Sequence, residues 1–134
     1  MAARKTVKTK PRKAKVRGKA TEPCPVVHFE IGCAQRDGAV EFYSKLFGWK
    51  TRQMGPVVSV DTGSKGIGGN ITTLGYQAFQ YTMFYVAVND VDATIQRALE
   101  LGGKIMVPPV KIPTGTFAWI LDLEGNTIGL WQKD

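Results

Sequence analysis

The sequence is poor in cysteine, holds a single histidine and has no long hydrophobic run, and each shortage removes a class of protein. No stretch approaches the about eighteen consecutive apolar residues of a membrane span. No short apolar region follows the N-terminal charges, as a secretory signal would require. The expectation is a soluble, cytoplasmic protein with no membrane partner. Cys24 and Cys33 are the two cysteines. They are too few for a disulfide framework and lack the clustered Cys or His spacing of a structural zinc site, so both are expected as reduced thiols. Residues 1–20 contain no acidic and no aromatic residue, yet they carry nine of the eighteen Lys and Arg. The other nine bases face all eleven acids in the rest of the chain, so the formal charge of +7 belongs to the tail and the body is slightly acidic.

The segment MAARKTVKTKPRKAKVRGKA cannot bury enough apolar surface to offset the entropy of ordering. Residues 1–22 are therefore expected to form a disordered basic tail. Its cations would neutralise phosphates and release counterions, which gives weak, salt-sensitive, sequence-blind contact with nucleic acid through residues 1–20. Base stacking is excluded because no aromatic is interleaved. A solvated extension, a polyanion anchor and an organelle-targeting segment all remain open, the last weakened by the excess of lysine over arginine.

What remains, residues 23–134, is 112 positions long and suits one cored domain. Val26 to Ile31 alternates as a half-buried strand, with Val27, Phe29 and Ile31 on one face and His28 and Glu30 on the other. From Asp37 to Phe47 the positions Ala39, Val40, Phe42, Tyr43, Leu46 and Phe47 follow helical spacing, with Asp37 as cap and Gly48 as left-handed stop. Short β-prone pieces follow at Trp49 to Met54, Val57 to Asp61 and Ile67 to Thr73. The pattern then restarts. Thr82 to Val88 reads as a strand, and Asn89 or Asp90 caps a helix whose stripe is Val91, Ile95, Ala98 and Leu99, stopped by Gly102 and Gly103. Strand pieces at Lys104 to Val107, Thr116 to Leu121 and Thr127 to Trp131 complete the second copy. Ile31 precedes Val86, and Gly48 precedes Gly103, by the same 55 residues. The expected fold is α+β: two βαβββ modules, about 24–75 and 80–134, sharing one curved mixed sheet around a central cleft with the helices outside. GIGGN lacks the Lys and Ser/Thr of a phosphate loop and reads as a close strand turn.

The segments VVHFEIGCAQRDGAVEFYSKLFGWK, FYVAVNDVDATIQRALELGGKI and DLEGNTIGLW resemble the vicinal oxygen chelate superfamily, which includes glyoxalase I, bleomycin-resistance proteins and extradiol dioxygenases. The resemblance covers Cys24 to Gln132. It implies the fold but no single reaction. It also implies homodimer formation, and four strand positions that hold a divalent metal in the enzymes of the family. Carried over by the repeat register, those positions are His28, Thr73, Met83 and Gly129. Only His28 is a good ligand, so no metal cofactor is expected.

Alternation supplies a different site. His28 and Glu30 would line the cleft, with Met83, Tyr85 and Ala87 from the second copy and Thr127, Gly129 and Trp131 from the last strand. An apolar, aromatic concavity with few polar groups suits a small-molecule ligand, with Met83, Tyr85, Trp119 and Trp131 as contacts. His28 and Glu30 could also exchange protons with a substrate near neutral pH. Against this, a lone strand histidine is more often structural, and Glu30 could pair with a base across the sheet. Three functions stay open: a metal-free small-molecule binder, a lyase, isomerase or dioxygenase-type enzyme using His28 and Glu30, with a disfavoured divalent metal recruited through these two and a third donor as one variant, and a dimeric scaffold whose tail contacts nucleic acid.

Overall fold

The structure, a computed structural model, describes residues 22–74 and 80–134. The basic tail lies outside the described residues. Ten elements follow in order: β1 (Val26–Gly32), α1 (Arg36–Phe47), β2 (Lys50–Met54), β3 (Val57–Asp61), β4 (Gly68–Thr72), β5 (Tyr81–Ala87), α2 (Val91–Glu100), β6 (Lys104–Ile112), β7 (Gly115–Leu121) and β8 (Thr127–Lys133). The strands form one sheet in the order β2-β3-β4-β1-β5-β8-β7-β6. Each βαβββ module supplies one half, in mirrored order. The halves meet where β1 pairs antiparallel with β5, and each first strand pairs parallel with the last strand of its own module.

The alternating strands divide the apolar residues between two faces. Under α1, Val58, Val60 and Ile71 are buried and Phe29, Ile31, Val40, Tyr43 and Trp49 pack on them. Under α2, Val91, Ile95, Ala118 and Leu130 form the equivalent core. The opposite, concave face holds a third cluster of Met83, Tyr85, Val107 and Trp119. Burial of a side chain such as Ile95 contributes about 1.5–3 kcal/mol.

Asp90 is the cap of α2: its side chain accepts from the Ala93 N–H at 3.0 Å. Gly48 ends α1 in the left-handed region at φ 72°. Asp37 is not a cap. Helix α1 begins one residue before it, with Gln35 at the cap position making no side-chain hydrogen bond there. Asp37 instead lies in the first turn, where a negative charge suits the helix dipole. The six apolar positions of α1 also do not form one buried stripe, because they span more of the helix than the sheet covers. Ala39, Val40 and Tyr43 pack inward, while Phe42, Leu46 and Phe47 are exposed.

Strand β6 runs on through Pro108 and Pro109 instead of ending at Val107. It is an edge strand, so prolines that donate no hydrogen bond are tolerated, and its register with β7 shifts between Val107 and Val110. Gly68 and Gly69 lie inside β4 and not in a turn. A Cβ at Gly69 would collide with the Phe29 ring, which lies across it. No described helix is long and apolar enough to cross a membrane.

Candidate functional site

The concave face is built around one buried carboxylate. Glu30 projects from β1 on the side away from α1 and is 8% exposed. Among the described residues no base pairs with it. One carboxylate oxygen accepts from the Tyr81 hydroxyl, and the other accepts from the Tyr85 hydroxyl at 2.9 Å. The Trp119 indole N–H donates to the Tyr85 oxygen at 2.9 Å, extending the network from β1 across β5 to β7. A buried carboxylate without such donors would be costly, and bonds to a charged acceptor are the stronger kind.

Two glycines make this convergence possible. Gly32 is the ladder partner of Tyr81, and Gly129 is the ladder partner of Tyr85. Each tyrosine ring lies across the glycine of the neighbouring strand, so that a Cβ at either glycine would overlap ring atoms. The rings are thereby laid flat over the sheet with both hydroxyls aimed at Glu30. Burial pushes the Tyr81 and Tyr85 phenols well above their ordinary pKa, and Glu30 adds to the rise in both. The Trp119 hydrogen bond acts in the opposite direction on Tyr85. Both tyrosines therefore stay neutral donors throughout the ordinary pH range.

His28 stands beside this network, half-buried, with its ring edge-on to Tyr85 at 5.6 Å between centroids. Its Nε2 lies 2.5 Å from Asn70 Oδ1 on β4. An amide oxygen can only accept, so Nε2 carries the proton in this arrangement. Trp119 is 1% exposed and takes part through its indole N–H, whereas Trp131 is half-buried beside Phe117. Met83 is buried in the same cluster. The network thus joins His28, Glu30, Tyr85 and Trp119 with three residues not singled out from sequence: Tyr81, Asn70 and Gly32. The tyrosines at 81 and 85 stand on the same strand face as Met83, and that alternation was the available signal for Tyr81. Cys33 is half-buried near the Thr72 carbonyl, and burial pushes its thiol pKa up, which disfavours the reactive thiolate.

A profile of the Glyoxalase/Bleomycin resistance protein/Dioxygenase superfamily matches residues 26–130. The chain belongs to this superfamily. A Mycobacterium bovis protein named "Putative glyoxylase CFP32" is 30% identical over 123 residues, a match covering 78% of this chain and 44% of the relative. The chain thus spans less than half the length of that relative. Among solved structures, methylmalonyl-CoA epimerase from Mycobacterium tuberculosis superposes with a TM-score of 0.63 at 15% identity, covering 81% of this chain and 87% of that one. A Bacillus halodurans protein of unassigned function gives 0.65 at 14% identity, covering 84% and 96% respectively. A superfamily member from Vibrio splendidus gives 0.59 at 16%, covering 84% of this chain and all of the other. These likenesses show the fold.

The superfamily metal does not fit the residues present. Thr73 lies beyond the end of β4, and the ladder places Asn70 opposite Glu30 just as it places Gly129 opposite Tyr85. Tyr85 follows Glu30 by 55 residues, but Gly129 follows Asn70 by 59; the extra length enters with the nine-residue β6, where β2 has five. The four facing positions are therefore His28, Asn70, Met83 and Gly129. They offer one imidazole, an amide, a thioether and no side chain at all. The Tyr85 ring fills the space that a ligand side chain at Gly129 would need. Coordination through His28 Nε2 would also require removal of its proton and of Asn70. Among the described residues no three of His, Cys, Asp and Glu cluster in a way that could hold an ion.

Proposed function

We propose that the protein binds a small, partly apolar molecule on the concave face without the superfamily's divalent metal. The observation that carries this reading is the Tyr85 ring lying over Gly129, with its hydroxyl given to Glu30. Support comes from the space a ligand side chain at Gly129 would need, which the hydrogen-bonded Tyr85 ring takes up. The half-buried side chains of His28, Asn70, Tyr81 and Trp131 supply a mixed polar and aromatic wall of the kind small-molecule sites use.

The decisive experiment adds zinc, nickel, manganese and ferrous iron separately to metal-stripped protein, followed by calorimetry and thermal unfolding. No stoichiometric binding and no rise in Tm is the expected result. A one-to-one ion that raises Tm, and loses that effect in His28→Ala, overturns the metal-free reading. Proton transfer by His28 and Glu30 is the weaker alternative, because both carboxylate oxygens of Glu30 are already bonded to phenols. The scaffold alternative rests on residues 1–20, outside the described part.

A further inference from the structure

The concave face is chemically divided, and its first half carries two cations that enter no ion pair among the described residues. Thr51 on β2 is the ladder partner of Val60, which is buried under α1. By alternation its neighbours Lys50 and Arg52 stand on the concave side. Arg52 is opposite Ser59, and Ser59 is opposite Asn70, the residue that holds His28. Arg52, Ser59, Asn70 and Glu30 thus form one row across β2, β3, β4 and β1. The structure shows a depression of about 260 Å³ at this edge, lined by Lys50, Arg52, Ser59 and Asp61 together with Thr51, which lies between the two cations on the strand. On β4 beside Asn70 is Gly68, which places no side chain on the floor between the cations and the imidazole.

Among the described residues neither Lys50 nor Arg52 enters an ion pair or a side-chain hydrogen bond, although Lys45, Arg97 and Lys111 all do. Asp61, the ladder partner of Lys50, accepts the Gly63 N–H at 2.8 Å and so is engaged by its own turn. Asp61 keeps its negative charge there, so the edge carries two cations against one carboxylate, and Arg52 itself faces a hydroxyl and an amide. The other half of the face, with Tyr85, Trp119, Trp131 and Phe117, is aromatic. Across such a surface an anionic group favours Arg52 and Lys50, and a planar apolar body favours His28 and the rings beyond it.

We propose that the ligand of the concave face is an anion: a planar, partly apolar molecule whose carboxylate or phosphate is held by Arg52 and Lys50 while its body lies toward His28. This inference rests on the small-molecule reading above. It names the chemical class of the ligand, and Arg52 as the residue that selects it.

The test follows backbone and indole resonances by NMR while naphthoate, naphthyl phosphate or the neutral naphthamide is added to the full chain. Both anions are expected to shift Arg52, Ser59, Asn70 and His28 and to bind about fivefold more tightly than the amide, a gain that salt reduces. Arg52→Gln, an exposed edge-strand change whose folding the same spectra verify, is expected to remove that advantage and leave the amide's affinity unchanged. Equal binding of anions and amide at the concave face overturns the anion inference alone. Failure of all three probes to perturb that face overturns both the inference and the small-molecule reading.

Discussion

The two modules share a topology and differ in what they spend it on. In the first, the helix buries no residue completely and exposes Phe42, Leu46 and Phe47, and its N-cap makes no side-chain bond. In the second, the helix buries Val91 and Ile95 and is capped by Asp90. The concave faces divide the other way. The first module presents Arg52, Ser59, Asn70, His28 and Glu30, while the second packs Met83, Tyr85, Val107 and Trp119 into a closed cluster. Where the sheet ladder of the first module pairs β1 and β4 from His28 to Gly32, the second pairs β5 and β8 only from Tyr85 to Ala87. The open end of that ladder, around Thr82 to Phe84, borders a depression of about 590 Å³. A duplicated unit lets one copy hold polar groups that are costly to bury because its twin supplies donors and apolar packing against them. Glu30 comes from the first copy, and the two phenols that donate to it, with the indole behind Tyr85, all come from the second.

The largest expected effect tests where stability resides. Trp119→Ala removes the most buried large side chain of the concave cluster and is expected to cost about 3–5 kcal/mol in chemical denaturation. Phe42→Ala, on the exposed side of α1, is expected to change stability by less than about 0.5 kcal/mol. Equal losses would erase the asymmetry between the modules.

A pH series sharpens the link between the halves. Tyr81 and Tyr85 have pKa values raised in the folded state above the ordinary value of 10.0, so the unfolded chain loses these protons first. Their contribution is whole below about pH 10 and is lost as pH rises beyond it, because there the native state binds more protons than the unfolded one. Denaturation midpoints should fall above that pH, and Tyr81→Phe and Tyr85→Phe should each flatten the fall. An unchanged slope in both variants would separate the phenols from the stability of the site.

The smallest effect concerns the helix starts. Asp90→Ala is expected to cost about 1 kcal/mol in unfolding free energy. Gln35→Ala should cost nothing measurable, since Gln35 caps nothing. A comparable loss at Gln35 would mean that the two helix starts are equivalent after all.

Much of the fold was legible in the chain because strand alternation and helix spacing are local. Val26 to Gly32, the left-handed Gly48 and the Asp90 cap each depend on residues within a turn or two. His28 and Glu30 were correctly placed on one strand face for the same reason. Thr73 was misplaced because Gly129 was matched to a position 56 residues earlier, close to the 55-residue spacing of the first strands, whereas the longer β6 stretches the spacing of the last strands to 59. Asp37 looked like a cap because residue type shows preference and not where the first helical hydrogen bond falls. The prolines of β6 hid five residues of strand, 108–112, since only edge position makes them acceptable.

By itself, then, the sequence determined the duplicated α+β plan, the left-handed stop at Gly48 and the poverty of metal ligands, all of which follow from residue type and short-range periodicity. The tertiary structure alone decided that Tyr81 and Tyr85 lie across Gly32 and Gly129, that their hydroxyls meet on Glu30, and that Asn70 holds His28. Those pairings join strands 42 to 55 residues apart in sequence. Their register is set by packing both faces of a shared sheet at once, a condition that no local pattern in the chain expresses.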